Sequence, residues 1–201
     1  AVYVVPLAAA VAADAPARSA RFQALAGAGQ PAFFRGWLVA GPFPRDFSAV
    51  NPPETGAINL KATYSGHEKA AVKWQPVVTA GDPTIGPDPV DLKPLLAPHN
   101  GVCAYAYGII RSDRDRAALL LTGSDEEMAV WLNGARVYAH TDYYRAFYRD
   151  QDRTPVTLKQ GDNPVLVKLG HGWESWRFSM RLAQPDGMPL TEGITFVTPA
   201  P

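Results

Sequence analysis

The segment TDYYRAFYRDQDR, residues 141–153, gathers Tyr143, Tyr144, Arg145, Phe147, Tyr148 and Arg149 into one short stretch. Aromatic rings and guanidinium groups at this density are what recognition surfaces use. Rings that stand out of such a loop make a platform for a sugar or a contact for a protein. Rings that fold back cover the sheet beneath, and the residue types suit either. A second stretch, HGWESW at 171–176, sets Trp173 and Trp176 on either side of Glu174 and Ser175. An exposed indole stacks on the apolar face of a sugar ring while neighbouring Glu, Arg and His bond its hydroxyls. The competing use of a loop tryptophan is to plug the end of a sandwich, which is expected of at least one of this pair. The candidate ligand-binding residues are therefore Tyr143, Tyr144, Arg145, Tyr148, Trp173, Glu174 and Trp176.

Acids cluster at Ser124-Asp125-Glu126-Glu127, and again at Asp150-Gln151-Asp152. Oxygen-rich loops suit a hard cation such as Ca²⁺, which takes six to eight oxygen ligands. Three consecutive acids do not easily face one ion, so a solvated turn competes with a metal site. The four histidines, His67, His99, His140 and His171, form no HExxH or other close metal spacing. There is no G-x-S-x-G elbow, no phosphate-binding loop and no G-x-G-x-x-G after a strand. A glycosidase needs two facing carboxylates, and no spacing here pairs any two acids. The expectation is a chain without catalytic residues and with no required cofactor.

The chain has 201 residues, 47% of them hydrophobic and 10% aromatic, enough to bury a substantial core. Its 19 basic residues balance 19 acidic ones. A net charge of zero argues against a general electrostatic grip on nucleic acid or an anionic membrane. No run of apolar residues is long enough for a transmembrane helix. The single cysteine, Cys103, excludes an intrachain disulfide and lies in the strand-like VCAYAYGII, where a buried thiol is the better reading.

The elements that must position these side chains are strands. VCAYAYGIIR spans 102–111, AALLLT 117–122, MAVWLN 128–133, ARVYAH 135–140, VTLK 156–159, PVLVKL 164–169 and RFSMRL 177–182. Asn133-Gly134 between two of them favours a type I′ hairpin, because both central residues take positive φ. Gln160-Gly161-Asp162-Asn163 makes another turn. Phe178, Met180 and Leu182 share one face of their strand, and Arg177, Ser179 and Arg181 the other. Trp37 and Trp131 lie within strands and are expected in the core. FRGWLV at 34–39 begins the sheet and GPFPRDF follows as a turn. Residues 44–101 read as mostly loop, with short strands near 60–64 and 71–78, the latter held to an edge or bulge by Pro76. GDPTIGPDPVDLKP reads as a surface loop. Regularly spaced short strands favour a sandwich or jelly roll.

Two features precede that sandwich. Val2, Tyr3, Val4 and Val5 with the alanine run behind them make an apolar arm that wants a sheet edge, its own or a neighbour's. PARSARFQALA at 16–26 is the best helix, with Asp14 to cap it, Pro16 in its first turn and Gly27 to end it. Residues 1–30 are thus expected as arm and helix and 31–201 as the sandwich. AVYVVPLAAAVAADAPA also resembles a signal-peptide core and cleavage site, and is read as an arm left after export.

The succession GSDEEMAVWLNGARVYAH and VTLKQGDNPVLVKLGHGWESWRFSMRL resembles the galactose-binding-like jelly roll that accompanies bacterial glycoside hydrolases. Its first half also resembles the PA14-type sandwich, where an Asp-rich loop precedes a strand ending in an Asn- or Asp-Gly turn. The resemblance covers about residues 102–182. It implies a non-catalytic, carbohydrate-binding accessory module, extracellular or periplasmic, with polysaccharide as partner. It also implies a structural calcium, with Asp125 and Glu126 at the ligand positions, although Glu126 stands where the pattern has a second Asp. The other function the sequence suggests is a structural subunit of an extracellular assembly or filament, linked copy to copy through the N-terminal arm.

Overall fold

A computed structural model describes residues 33–78, 89–96 and 99–201. The expected arm at 2–5 and helix at 16–26 lie outside these residues. The strands are β1 (Gly36–Pro44), β2 (Tyr64–Ser65), β3 (Ala71–Val72), β4 (Gln75–Val78), β5 (Val90–Asp91), β6 (Val102–Ser112) and β7 (Arg116–Ser124). They continue as β8 (Met128–Leu132), β9 (Ala135–His140), β10 (Asp152–Leu158), β11 (Gly161–His171), β12 (Arg177–Ala183) and β13 (Ile194–Val197). One antiparallel sheet runs β4-β1-β6-β11-β8-β9, with β13 also paired to β6. A second runs β10-β7-β12-β5, and β2 and β3 form a small ribbon. The expected all-β sandwich is what forms.

Period-two patterning builds the core between the two larger sheets. Val102, Ala104, Ala106 and Ile110 of β6, Val165, Val167 and Leu169 of β11, and Met128, Val130 and Leu132 of β8 face inward from one side. Leu120 of β7, Val156 and Leu158 of β10, and Phe178, Met180 and Leu182 of β12 meet them from the other. Each of the Val, Leu, Ile, Met and Phe side chains among these, fully buried, contributes about 1.5–3 kcal/mol. Trp37 is fully buried, its ring edge-on to Phe178 at 5.2 Å. The Asn133–Gly134 hairpin has positive φ at both residues, 53° and 81°. Asn163 ties that hairpin to the next turn: Asn133 Nδ2 donates to Asn163 Oδ1 at 2.9 Å, and Asn163 Nδ2 donates to Ile110 O and Lys159 O.

Three expectations change. GPFPRDF is not a turn throughout, because β1 runs on to Pro44, with a register shift between Ala40 and Phe43. Within GDPTIGPDPVDLKP, Val90 and Leu92 are fully buried, and Val90 pairs with Phe178, so the segment's end seals the core rather than lying on the surface. Residues 45–78 hold short strands among loop, as expected, but the stretch as far as Trp74 is not a surface loop. It covers the outer face of the larger sheet, where Val72 and Trp74 share an apolar cluster with Leu38, Phe43, Tyr105 and Tyr107. This explains why β6 is apolar at successive positions: both of its faces are covered. Pro76 sits in β4, an edge strand, as its missing N–H requires.

Candidate functional site

The loop 141–151 is fastened to the rim of β7 by its backbone. A Cβ built on Gly123 would lie 2.0 Å from the carbonyl oxygen of Tyr148, so only glycine lets the loop come this close. Gln151 Oε1 accepts the Ser124 N–H at 3.1 Å, and its Nε2 donates to Ala146 O at 2.6 Å. Arg145 turns inward from the same loop. It donates from Nη2 to Ser124 Oγ at 2.9 Å and from Nη1 to Tyr138 Oη at 3.2 Å, and it pairs with Asp152 at 2.7 Å. Burial, then the hydrogen bond with Asp152, pushes the Tyr138 hydroxyl up to about 12. Arg145, expected as a ligand-binding residue, lines the cleft at this rim, and these contacts occupy its guanidinium in holding the loop.

Asp125 joins this loop to β12. Its Oδ1 accepts the Phe147 N–H at 3.0 Å, and its Oδ2 accepts both the N–H and the Nε–H of Arg177 at 3.1 Å. The Asp125 N–H returns a bond to Arg177 O at 2.9 Å. Arg177 in turn lies 5.5 Å from the Phe147 ring. On the next residue, burial pushes the Glu126 carboxyl above the usual carboxylate range. Its Oε2 lies 3.7 Å from Arg45, and Glu127 Oε2 lies 3.6 Å from the same guanidinium.

These contacts bear on the expected calcium through donor chemistry. Asp125 Oδ2, expected as a ligand, faces a guanidinium, and Glu126 faces another, so both meet cations already in place. Asp150 pairs with Arg181 and Asp152 with Arg145. Among the described residues no group of three His, Cys, Asp or Glu side chains is placed to hold a metal. The residues do not fit the ion, and Asp125 and Glu126 are corrected from metal ligands to anchors of the rim.

Around these anchors a cleft of about 360 Å³ opens, lined by Glu126, Tyr143, Tyr144, Trp173, Glu174 and Arg177 among others. Tyr144 is 86% exposed and Trp173 65% exposed. Tyr143 stands edge-on to both, at 4.7 Å from Tyr144 and 6.0 Å from Trp173. One face of the Tyr143 ring carries the Arg45 guanidinium at 3.8 Å. The Glu174 carboxylate makes no ion pair with a described residue, while its carbonyl takes the Lys93 ammonium. The structure brings five of the sequence's candidates, Tyr143, Tyr144, Arg145, Trp173 and Glu174, into one neighbourhood.

Two candidates do not belong to it. Trp176 is 1% exposed, stacked on His171 at 4.6 Å and part of the core. It is the plug of the pair, and its side chain cannot meet a ligand. The signal was present in the sequence: the inward period of Phe178, Met180 and Leu182 runs back one step to Trp176. Tyr148 is 67% exposed but is not part of the cleft's lining. Sequence reasoning missed Arg45, which comes from a distant strand end and leaves no local pattern.

No family model matches the chain, and no curated protein matches it. Among solved structures it is similar to an anti-sigma factor domain-containing protein, at 10% identity over 81% of this chain and 48% of that one, with a TM-score of 0.46. The chain spans about half the length of that protein. It is similar to the PA14 domain of the antifreeze protein MpAFP, at 12% identity over 85% of this chain and 94% of that one, TM-score 0.43. It is also similar to a family 35 carbohydrate binding module from Clostridium thermocellum, at 13% identity over 76% and 98% respectively, TM-score 0.34. Likenesses of this size assign neither a ligand nor a reaction to the chain.

Proposed function

We propose that the chain is a non-catalytic glycan-binding module whose ligand lies in the cleft between Tyr144, Trp173 and Glu174. The observation that carries this reading is Trp173: an indole 65% exposed, beside a tyrosine ring and a carboxylate with no ion pair to a described residue. The apolar face of a pyranose ring gains by covering such an indole, and Glu174 accepts from its hydroxyls. Backbone anchors at Gly123, Asp125 and Gln151 hold the ring-bearing loop in place before any ligand arrives, which lowers the ordering cost of binding.

The same contacts favour binding over hydrolysis. Of the three carboxylates in the cleft, Asp125 is bonded to Arg177 and Glu126 lies 3.7 Å from Arg45, which leaves Glu174 as the one with no ion pair to a described residue. Cys103 is fully buried, and burial pushes its thiol up to about 12, far from a reactive thiolate. Export to the cell surface or periplasm belongs to this proposal, since polysaccharide is met there. The test is retention by immobilised polysaccharides of wild type against Trp173→Ala and Tyr144→Ala. Loss of retention in both variants supports the reading. Wild type held by no polysaccharide, or equal retention by all three proteins, overturns it.

A further inference from the structure

The outer face of the larger sheet carries a second row of chemistry. Register aligns Tyr107 of β6, Leu166 of β11, Trp131 of β8 and Arg136 of β9 side by side across four strands. Trp131, expected in the core, is half-buried on this outer face, because Val130 and Leu132 take the inward positions. Pro53, Ala57 and Ile58 stand over the row and enclose a cavity of about 530 Å³. Beside it, over the small residues Ala129 and Ala139, a second cavity of about 440 Å³ is lined by Ser48, Arg136 and Lys168. Trp131 and Glu54 line both.

Glu54 is held in an unusual way. The Tyr105 hydroxyl, the Lys168 ammonium at 2.9 Å and the Asn51 N–H at 3.4 Å all donate to its Oε1. Lys168 is 1% exposed and also donates to Phe47 O and Ala49 O, so it pins the cover to the sheet. Glu54 Oε2 takes no hydrogen bond from a described residue and is not among the buried unsatisfied atoms. One oxygen fixes the carboxylate, and the other is a preset acceptor between the two cavities.

We propose that this groove is a second glycan site, one that takes an internal stretch of a neutral polysaccharide. The proposal rests on the glycan-binding reading of the chain. One pyranose ring lies on Trp131 and donates a hydroxyl to Glu54 Oε2. The adjoining ring fills the neighbouring cavity toward Arg136. Cavities on both sides of Glu54 make this a site for a continuing chain, whereas the rim cleft is a single pocket in which Asp125 and Glu126 already face arginines.

The test is a titration of the full chain, labelled with ¹⁵N at tryptophan, with soluble hexasaccharides of the cellulose, xylan, mannan and galactan types. Indole N–H signals report Trp131 and Trp173 separately, and calorimetry gives the sites per chain. Two sites in the wild type are expected, with both indole signals shifting. Trp173→Ala should retain one site and the Trp131 shift. Trp131→Ala should weaken the groove site at least tenfold, and Ala57→Trp, at an exposed wall position, should fill the first cavity with the same effect without touching the core. A ligand that shifts Trp173 but leaves Trp131 unmoved overturns the groove and leaves the rim reading standing. A ligand that shifts Trp131 alone supports the groove and overturns the rim reading. No binding by any of the four overturns both.

Discussion

Asp125 and Arg177 are joined three times over: Asp125 Oδ2 accepts the backbone and side-chain N–H groups of Arg177, and the Asp125 N–H donates to Arg177 O. The remaining Asp125 oxygen accepts the Phe147 N–H. One carboxylate therefore fixes both the loop that presents Tyr143 and Tyr144 and the strand that follows Trp173.

Replacing Asp125 by Ala leaves the Arg177 guanidinium and two backbone N–H groups without their acceptor. Hydrogen bonds to charged groups are worth about 1.5–3 kcal/mol. Thermal unfolding of Asp125→Ala should come several degrees lower than wild type, and retention by polysaccharide should fall with it. The arginine already occupies the anion, so EDTA or added Ca²⁺ should leave the wild-type transition where it is.

Trp173 and Trp176 should separate cleanly. Trp176→Ala removes a buried ring from the core and should cost about 3–5 kcal/mol. Trp173→Ala removes an exposed one, and its unfolding free energy should stay within about 0.5 kcal/mol of wild type. Denaturant titration of the two variants checks this.

Gly123→Ala should detach the aromatic loop. The added methyl would meet the Tyr148 carbonyl oxygen, a backbone atom that cannot swing away. Overpacking of this kind costs about 1–3 kcal/mol. Proteolysis within 141–151 should become faster than in wild type.

Stability should fall as pH drops through the ordinary histidine range. Burial, then the Lys93 charge, holds His171 below its ordinary value of 6.5. The unfolded chain therefore takes up this proton at a higher pH than the folded one. The contribution is intact above about 6.5 and lost below it. His171→Gln should flatten that part of the stability–pH curve. Glu126 acts in the opposite sense, since its raised pKa means that ionisation above 4.5 costs the folded state. Glu126→Gln should therefore be more stable than wild type at pH 7.

The strands were legible because alternation is local: Phe178, Met180 and Leu182 announce their face within six residues, and Asn133-Gly134 announces its turn in two. The same alternation, carried one step further, would have sent Trp176 inward and Trp131 outward. The cover over the larger sheet was not legible. Its hold comes from Lys168 reaching Phe47 O and Ala49 O, more than a hundred positions away, and the alternation of Val72 and Trp74 with exposed Ala71 and Lys73 does not say which surface they meet. Arg45 was hidden for the same reason. The acids at 125–127 misled in kind: their composition suggests a metal, whereas distant arginines supply the positive charge.

The most direct measurement of the central claim is the affinity of Trp173→Ala, read beside its unfolding midpoint, for whichever polysaccharide retains the wild type. Weakening by tenfold or more with an unchanged midpoint is the predicted result. Undiminished affinity in a variant that has lost this indole would contradict the account.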